Sequence, residues 1–112
     1  MLNNVSSDLI RGSIDSIILR VLYEKDSYGY EIIKTIREDS KGSYELKEPT
    51  LYSSLKRLEA QGMIESYWGS ETQGGRRKYY RIKEEGISHY KSSYQAWQAA
   101  RDLIDILIEE KK

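Results

Sequence analysis

Apolar positions recur at helical spacing from about residue 8 to residue 24. Ile10, Ile14, Ile17, Ile18, Val21 and Leu22 step by three or four residues and share one face. Asp8 is placed to cap this helix, and Gly12 and Ser13 weaken it near its start. A break at residues 25–27 precedes a second helix, about 27–39, with Asp26 or Ser27 as its cap and Ile32, Ile33 and Ile36 inward. The polar run 40–43 ends it, and residues 44–46 read as a short extended piece. A third helix spans about 48–61. Pro49 fits its first turn, Leu51, Leu55 and Leu58 form its inner face, and Gly62 stops it. Its opposite face carries Thr50, Tyr52, Ser53, Ser54, Lys56 and Arg57.

The period then changes. Residues 63–69 and 76–82 are rich in β-formers and flank the polar, glycine-bearing loop 70–75, which predicts a β-hairpin. Residues 83–86 form a boundary, and a long helical pattern runs from about 84 to 110. In it Ile87, Tyr94, Arg101 and Ile108 lie seven apart, as do Tyr90, Trp97 and Ile104. This is a heptad seam with Arg101 as its polar break. Leu103 and Leu107 widen the apolar face, so the helix needs a partner surface. The expected fold is mainly α with a small β-hairpin. Three helices followed by a hairpin is the order of a winged helix-turn-helix, here residues 1–83, with a C-terminal dimerisation helix at 84–112.

Composition narrows the chemistry. The 112 residues make one domain, and 38% hydrophobic against 32% charged is a thin apolar share that favours an oligomer. The absence of cysteine excludes a disulfide scaffold, a zinc ribbon and thiol catalysis. The single histidine, His89, lies off the heptad seam and reads as a surface residue. Glu84, Glu85, Glu109 and Glu110 read as helix-start and tail charges, because adjacent helical residues do not face each other. No enzyme, cofactor or metal site is expected. No apolar run exceeds three residues, and the first eight lack the basic start and apolar stretch of a signal peptide. The expectation is therefore a cytoplasmic protein without a membrane partner. Ten Tyr, two Trp and no Phe place many rings at surfaces, interfaces or grooves.

The formal net charge is zero, which excludes a generally polybasic protein but not a local patch. Residues 76–83 hold Arg76, Arg77, Lys78, Arg81 and Lys83 with no acid, so the rest of the chain carries a matching negative excess. Two readings stand for this strand. It is a phosphate-contacting wing, with Gly74 and Gly75 letting the tip approach a duplex, or a solvated edge strand protected from aggregation.

The pieces Tyr28-Gly29-Tyr30-Glu31-Ile32, Thr50-Leu51-Tyr52 continuing to Leu55-Lys56-Arg57-Leu58-Glu59, Gly62-Met63-Ile64, and Gly74-Gly75-Arg76-Arg77-Lys78-Tyr79-Tyr80-Arg81-Ile82 stand in one order. Together they closely resemble the PadR family of transcriptional regulators over residues 10–86. The short C-terminal helix with a Trp midway is similar to the family's small, multidrug-sensing repressors. The resemblance implies a homodimeric repressor that binds a palindromic operator in double-stranded DNA. Candidate DNA contacts are Tyr28, Thr50, Tyr52, Ser53, Lys56, Gly75, Arg76, Arg77 and Lys78. The candidate dimer interface is Ile87, Tyr90, Tyr94, Trp97, Ile104 and Ile108.

The resemblance also implies a pore at the dimer axis for planar aromatic ligands, lined by Leu9, Gly12, Asp15, Ser16, Arg20, Tyr94, Trp97 and Arg101. From the residues alone, Trp97 is either such a platform or plain interface core. Arg101 places a cation one turn after it, so either Asp15 neutralises it or the preferred ligands are neutral or anionic. A winged-helix adaptor that binds only protein is the alternative function.

Overall fold

The helical repeat of the first segment is realised as three pieces. They are α1 (Ser7–Ile10), a 3₁₀ turn (Arg11–Ser13) and α2 (Ile14–Glu24). Gly12 and Ser13, both poor helix formers, lie in the tightened turn. This computed structural model describes residues 6–71 and 74–111. Residues 1–5, considered above for a signal sequence, lie outside the described residues, as do 72–73 of the hairpin loop and 112. The first cap differs from expectation. Ser6 Oγ accepts the Asp8 amide at 3.2 Å, and Asp8 sits inside the first turn, paired with Arg11 at 2.7 Å.

The second helix also starts later than its pattern suggests. Ser27–Tyr28 is a strand, β1, and α3 is Gly29–Asp39. The expected caps have other partners. Ser27 is buried, with its hydroxyl donating to the Lys25 carbonyl, and Asp26 accepts from the Tyr67 hydroxyl at 2.6 Å. After α3 the chain turns through Lys41 and Gly42, both at positive φ. Residues 44–46 form no regular element. Leu46 instead enters the core, while Ser40 Oγ accepts the Tyr44 amide at 3.1 Å.

α4 is Glu48–Ala60, β2 is Ile64–Trp68, β3 is Lys78–Ile82 and α5 is Glu84–Ile108. Gly62, at φ 76°, stops α4, and the Met63 amide reaches back to the Leu58 carbonyl at 3.0 Å. The sheet is antiparallel with order β1-β3-β2. Tyr79 faces Tyr28 on one side and Tyr67 on the other, and Tyr80 faces Ser27 and Ser66. The basic strand β3 is therefore central, which removes the edge-strand reading of its charge. A lone hairpin would leave one side of β3 unpaired, and β1 satisfies those backbone groups.

Ile18, Leu19, Leu22, Ile32, Leu51, Leu55, Leu58 and Ile64 are essentially solvent-free and join α2, α3, α4 and the sheet in one core. Truncating one of these leucines to Ala costs roughly 2–5 kcal/mol. Gly86, expected as part of a boundary, lies within the first turn of α5 and is its one buried residue among those described. A Cβ there would strike the Met63 carbonyl, so glycine lets the helix start press against the residue leading into β2 and the end of β3. α5 packs on α2 and then runs on, giving the chain its 65 Å long axis.

Candidate nucleic-acid interface

α4 is amphipathic, so burying its leucine face necessarily presents the other. Thr50, Tyr52, Ser53 and Lys56 are exposed on it. Two residues expected with them behave differently. Ser54 is buried, because its position one turn before Leu58 turns it inward. Arg57 is held by Asp15 of α2, with Nη2 to Oδ1 at 2.7 Å and Nε to Oδ2 at 3.3 Å, and it donates to Ser54 Oγ at 3.2 Å. Tyr52 packs its hydroxyl end against Gly29 at the start of α3, which fixes one helix of the pair on the other.

The wing stands beside α4, which packs against β2. Its turn passes through Gly74 and Gly75 at φ 75° and 83°, a region L-residues with side chains rarely adopt. Each cation of β3 and its approach is seated on a ring. Arg76 lies 5.4 Å from the Trp68 ring centre, Arg77 4.7 Å from Tyr28, Lys78 5.8 Å from Tyr80 and Arg81 4.8 Å from Tyr67. The candidate contact Tyr28 is thus brought to the wing through β1, beneath Arg77.

The cations divide further by partner. Arg81 pairs with Glu65 at 3.0 Å and approaches Asp26, and Arg77 approaches Glu71 at 3.9 Å. Among the described residues Arg76, Lys78 and Lys83 have no carboxylate partner. A tyrosine ladder stiffens the wing base, with Tyr67 stacked on Tyr79 at 5.7 Å and Tyr28 edge-on to Tyr79 at 5.5 Å. Tyr79 donates its hydroxyl to Glu71. That bond, with burial second, pushes the Tyr79 hydroxyl up to about 12, and the same bond holds the Glu71 carboxyl below its usual range. Tyr67, bonded to Asp26, is raised for the same reason. Neither hydroxyl bond is legible locally, because Tyr67 is 41 residues from Asp26 and Tyr79 reaches Glu71 only across the hairpin loop.

A cleft of about 1200 Å³ opens between the N-terminal helices and α5. Leu9, Gly12, Asp15, Ser16, Arg20, Tyr94, Trp97 and Arg101 all line it, so the residues grouped by resemblance meet in one place. Arg57 and His89 line it too. His89, expected as a plain surface residue, is exposed on the cleft side. Of the two readings of Arg101, neutralisation by Asp15 does not hold, because Asp15 is taken by Arg57. Arg101 instead pairs with its neighbour Asp102 at 3.2 Å and lies 5.1 Å from the Trp97 ring centre. Trp97 stacks on Tyr94 at 6.3 Å. Arg20 bridges Glu24 and Asp39 at 2.7 and 2.5 Å.

The heptad seam splits in two. Ile87 and Tyr90 are partly buried within this chain, Tyr90 lying 5.5 Å from Tyr23 of α2. Tyr94, Trp97, Ile104 and Ile108 are about half or more exposed, as are Leu103, Ile106 and Leu107. Among the described residues no group of acids and histidine could hold a metal ion, and no helix is long and apolar enough to cross a membrane.

Comparison with known proteins agrees with this architecture. A protein of undescribed function from Lysinibacillus sphaericus is 45% identical over 105 residues, spanning 94% of this chain and 96% of its own. The solved structure of a transcriptional regulator from Clostridium thermocellum is 50% identical, covers 94% of this chain and 99% of its own, and superposes with a TM-score of 0.86. A PadR family transcription regulator from Clostridium difficile is 39% identical, covers 88% of this chain and all of its own, with a TM-score of 0.76. The profile of the transcriptional regulator PadR-like family matches residues 18–92, from the middle of α2 through the helix pair and wing into α5. With the winged helix-turn-helix and its relatives in agreement, the chain belongs to the PadR-like family of transcriptional regulators, which are not enzymes.

Proposed function

We propose that this chain is the protomer of a homodimeric, ligand-responsive repressor acting in the cytoplasm. The observation that carries the DNA-binding part is the pairing of α4's exposed Thr50, Tyr52, Ser53 and Lys56 with a wing whose Arg76 and Lys78 have no carboxylate partner among the described residues. α4 enters the major groove, where hydroxyls, a phenol and an ammonium suit base edges and phosphates. Gly75, Arg76, Arg77 and Lys78 follow the backbone beside it. Two such units address a palindrome when their α4 helices lie about 34–36 Å apart.

The division of labour assigns DNA binding to 1–83 and dimerisation to 84–112, with the first turns of α5 fastening the two together. The uncovered apolar end of α5 supports a second copy as its partner, since water-exposed Ile104, Leu107 and Ile108 side chains gain roughly 1.5–3 kcal/mol each on full burial. The cleft supports a planar aromatic guest stacked on Trp97, and a guest that binds one dimer geometry more tightly shifts the population toward it.

The test is selection of duplexes from a random library by the purified protein, followed by salt titration of the best duplex. A two-fold symmetric consensus and a falling affinity with salt are expected. Absence of any retained duplex would favour a protein-binding adaptor. For the ligand, fluorescence quenching by a planar dye should vanish in Trp97→Ala, with Trp68 as the remaining emitter. Equal dye affinity in that variant would return Trp97 to plain interface core.

A further inference from the structure

The ion pair between Asp15 and Arg57 joins two regions that the proposed function keeps separate. Asp15 lies in the first turn of α2 and Arg57 in the last turn of α4, 42 residues away. Both side chains line the Trp97 cleft. Arg57 also borders a smaller hollow shared with Thr50 and Ser53, on the face of α4 assigned to DNA. One guanidinium therefore touches the guest cavity and the reading helix at once. Its two bonds to the carboxylate and a third to the buried Ser54 hydroxyl hold it in a single orientation. The pair is also accessible, with the Arg57 side chain 49% and the Asp15 side chain 28% exposed. Ion pairs of this exposure are weak enough for a competing charge to open.

The geometry points to Arg57 as a positioning residue that couples the cleft to α4, with Asp15 as its latch. With the latch closed, α2 and α4 are tied in one relative setting. A planar cation that takes Asp15, or a planar anion that takes Arg57, opens it and lets the last turn of α4 shift against α2 while the leucine face stays in the core. A neutral guest of the same size fills the cleft without opening the latch. The inference rests on the ligand-responsive reading above and adds its mechanism: charge on the guest, rather than occupancy, is what reaches the DNA-binding helix. Such a link is reciprocal, so DNA changes the affinity for the charged guest by the same factor.

The experiment measures the affinity of wild-type protein for its selected duplex, by anisotropy of a label on the DNA, with and without three planar probes. These are an aminoacridine cation, a naphthalene sulfonate anion and neutral acridone, each at concentrations that leave the free duplex signal unchanged. The charged probes should shift DNA affinity by about fivefold or more, and bound acridone should leave it unchanged. In Arg57→Gln and in Asp15→Asn the ratio of affinities with and without charged probe should fall to about one, whatever each variant's own DNA affinity. The exchange Asp15→Arg with Arg57→Asp should restore the ratio, which a merely structural role would not do. If no probe shifts DNA affinity in the wild type, the ligand-responsive reading itself falls. If coupling persists in the single variants, or acridone couples as strongly as the ions, that reading stands and the Asp15–Arg57 latch is overturned.

Discussion

The hydroxyl end of Tyr52 occupies the space that any side chain at Gly29 would need. Tyr52 lies on the exposed face of α4 and Gly29 is the first residue of α3, so one contact sets how these two helices meet. Tyr52 nevertheless remains about half exposed.

That contact predicts a reversal of sign. Gly29→Ala alone should destabilise the protein by roughly 1–3 kcal/mol, because the added methyl overpacks against Tyr52. In a Tyr52→Ala background the same change should be neutral or stabilising by up to about 1 kcal/mol, since alanine is the better helix former. Urea denaturation of the four proteins closes the cycle, and additive effects would show that the two residues do not touch. Tyr52→Ala should itself lose roughly 1–3 kcal/mol of specific DNA affinity while staying folded.

The wing cations should separate by their partners. Arg76→Ala and Lys78→Ala should weaken binding to specific and random duplex alike, and each should lower the slope of log affinity against log salt by about one. Arg81→Ala should change that slope little, because Glu65 already holds its guanidinium. Equal slopes for all four proteins, wild type included, would remove the wing from the phosphate backbone.

Ile104 offers a clean test of assembly. It is 51% exposed in the single chain, so Ile104→Glu places no charge in the protomer's own core. The variant should keep its circular dichroism and sediment as a folded monomer, with DNA affinity reduced. In a dimer the same glutamate would be buried unpaired, which is costly enough to prevent association. A variant that stays dimeric would place the interface elsewhere.

The Tyr79–Glu71 bond predicts two titrations. Tyr79 should ionise near pH 12, and Glu71→Gln should return it toward 10 in an ultraviolet titration. Because the Tyr79 value is raised, its contribution to stability is complete below pH 10 and fades as the pH climbs through about 12. The Glu71 value is lowered, so its contribution is complete above the free carboxyl value of 4.5 and is lost as the pH falls through the depressed one. The stability difference between wild type and Glu71→Gln, measured by urea denaturation, should therefore narrow at both extremes, and a difference that does not change with pH would count against the bond.

Local periodicity in the chain determined the helices, the leucine face of α4 and the position of the hairpin. Each rests on burying one stripe or one face, and that need repeats every few residues. Gly62 was legible as a stop because a left-handed turn favours glycine. The charge of residues 76–83 was legible as an excess, since counting needs no geometry. The grouping of Asp15, Trp97 and Arg101 came from resemblance, and their meeting in one cleft depends on where α5 crosses α2.

Tertiary structure alone decided the rest. β1 exists because Ser27 and Tyr28 meet the open side of β3, and two residues carry no period of their own. That pairing makes the basic strand central and brings Tyr28 beneath Arg77. Asp15 pairs with Arg57, 42 residues away, and not with Arg101, although all three line one cleft. A charge chooses its partner by distance in space, and distances in space appear only when the helices have packed.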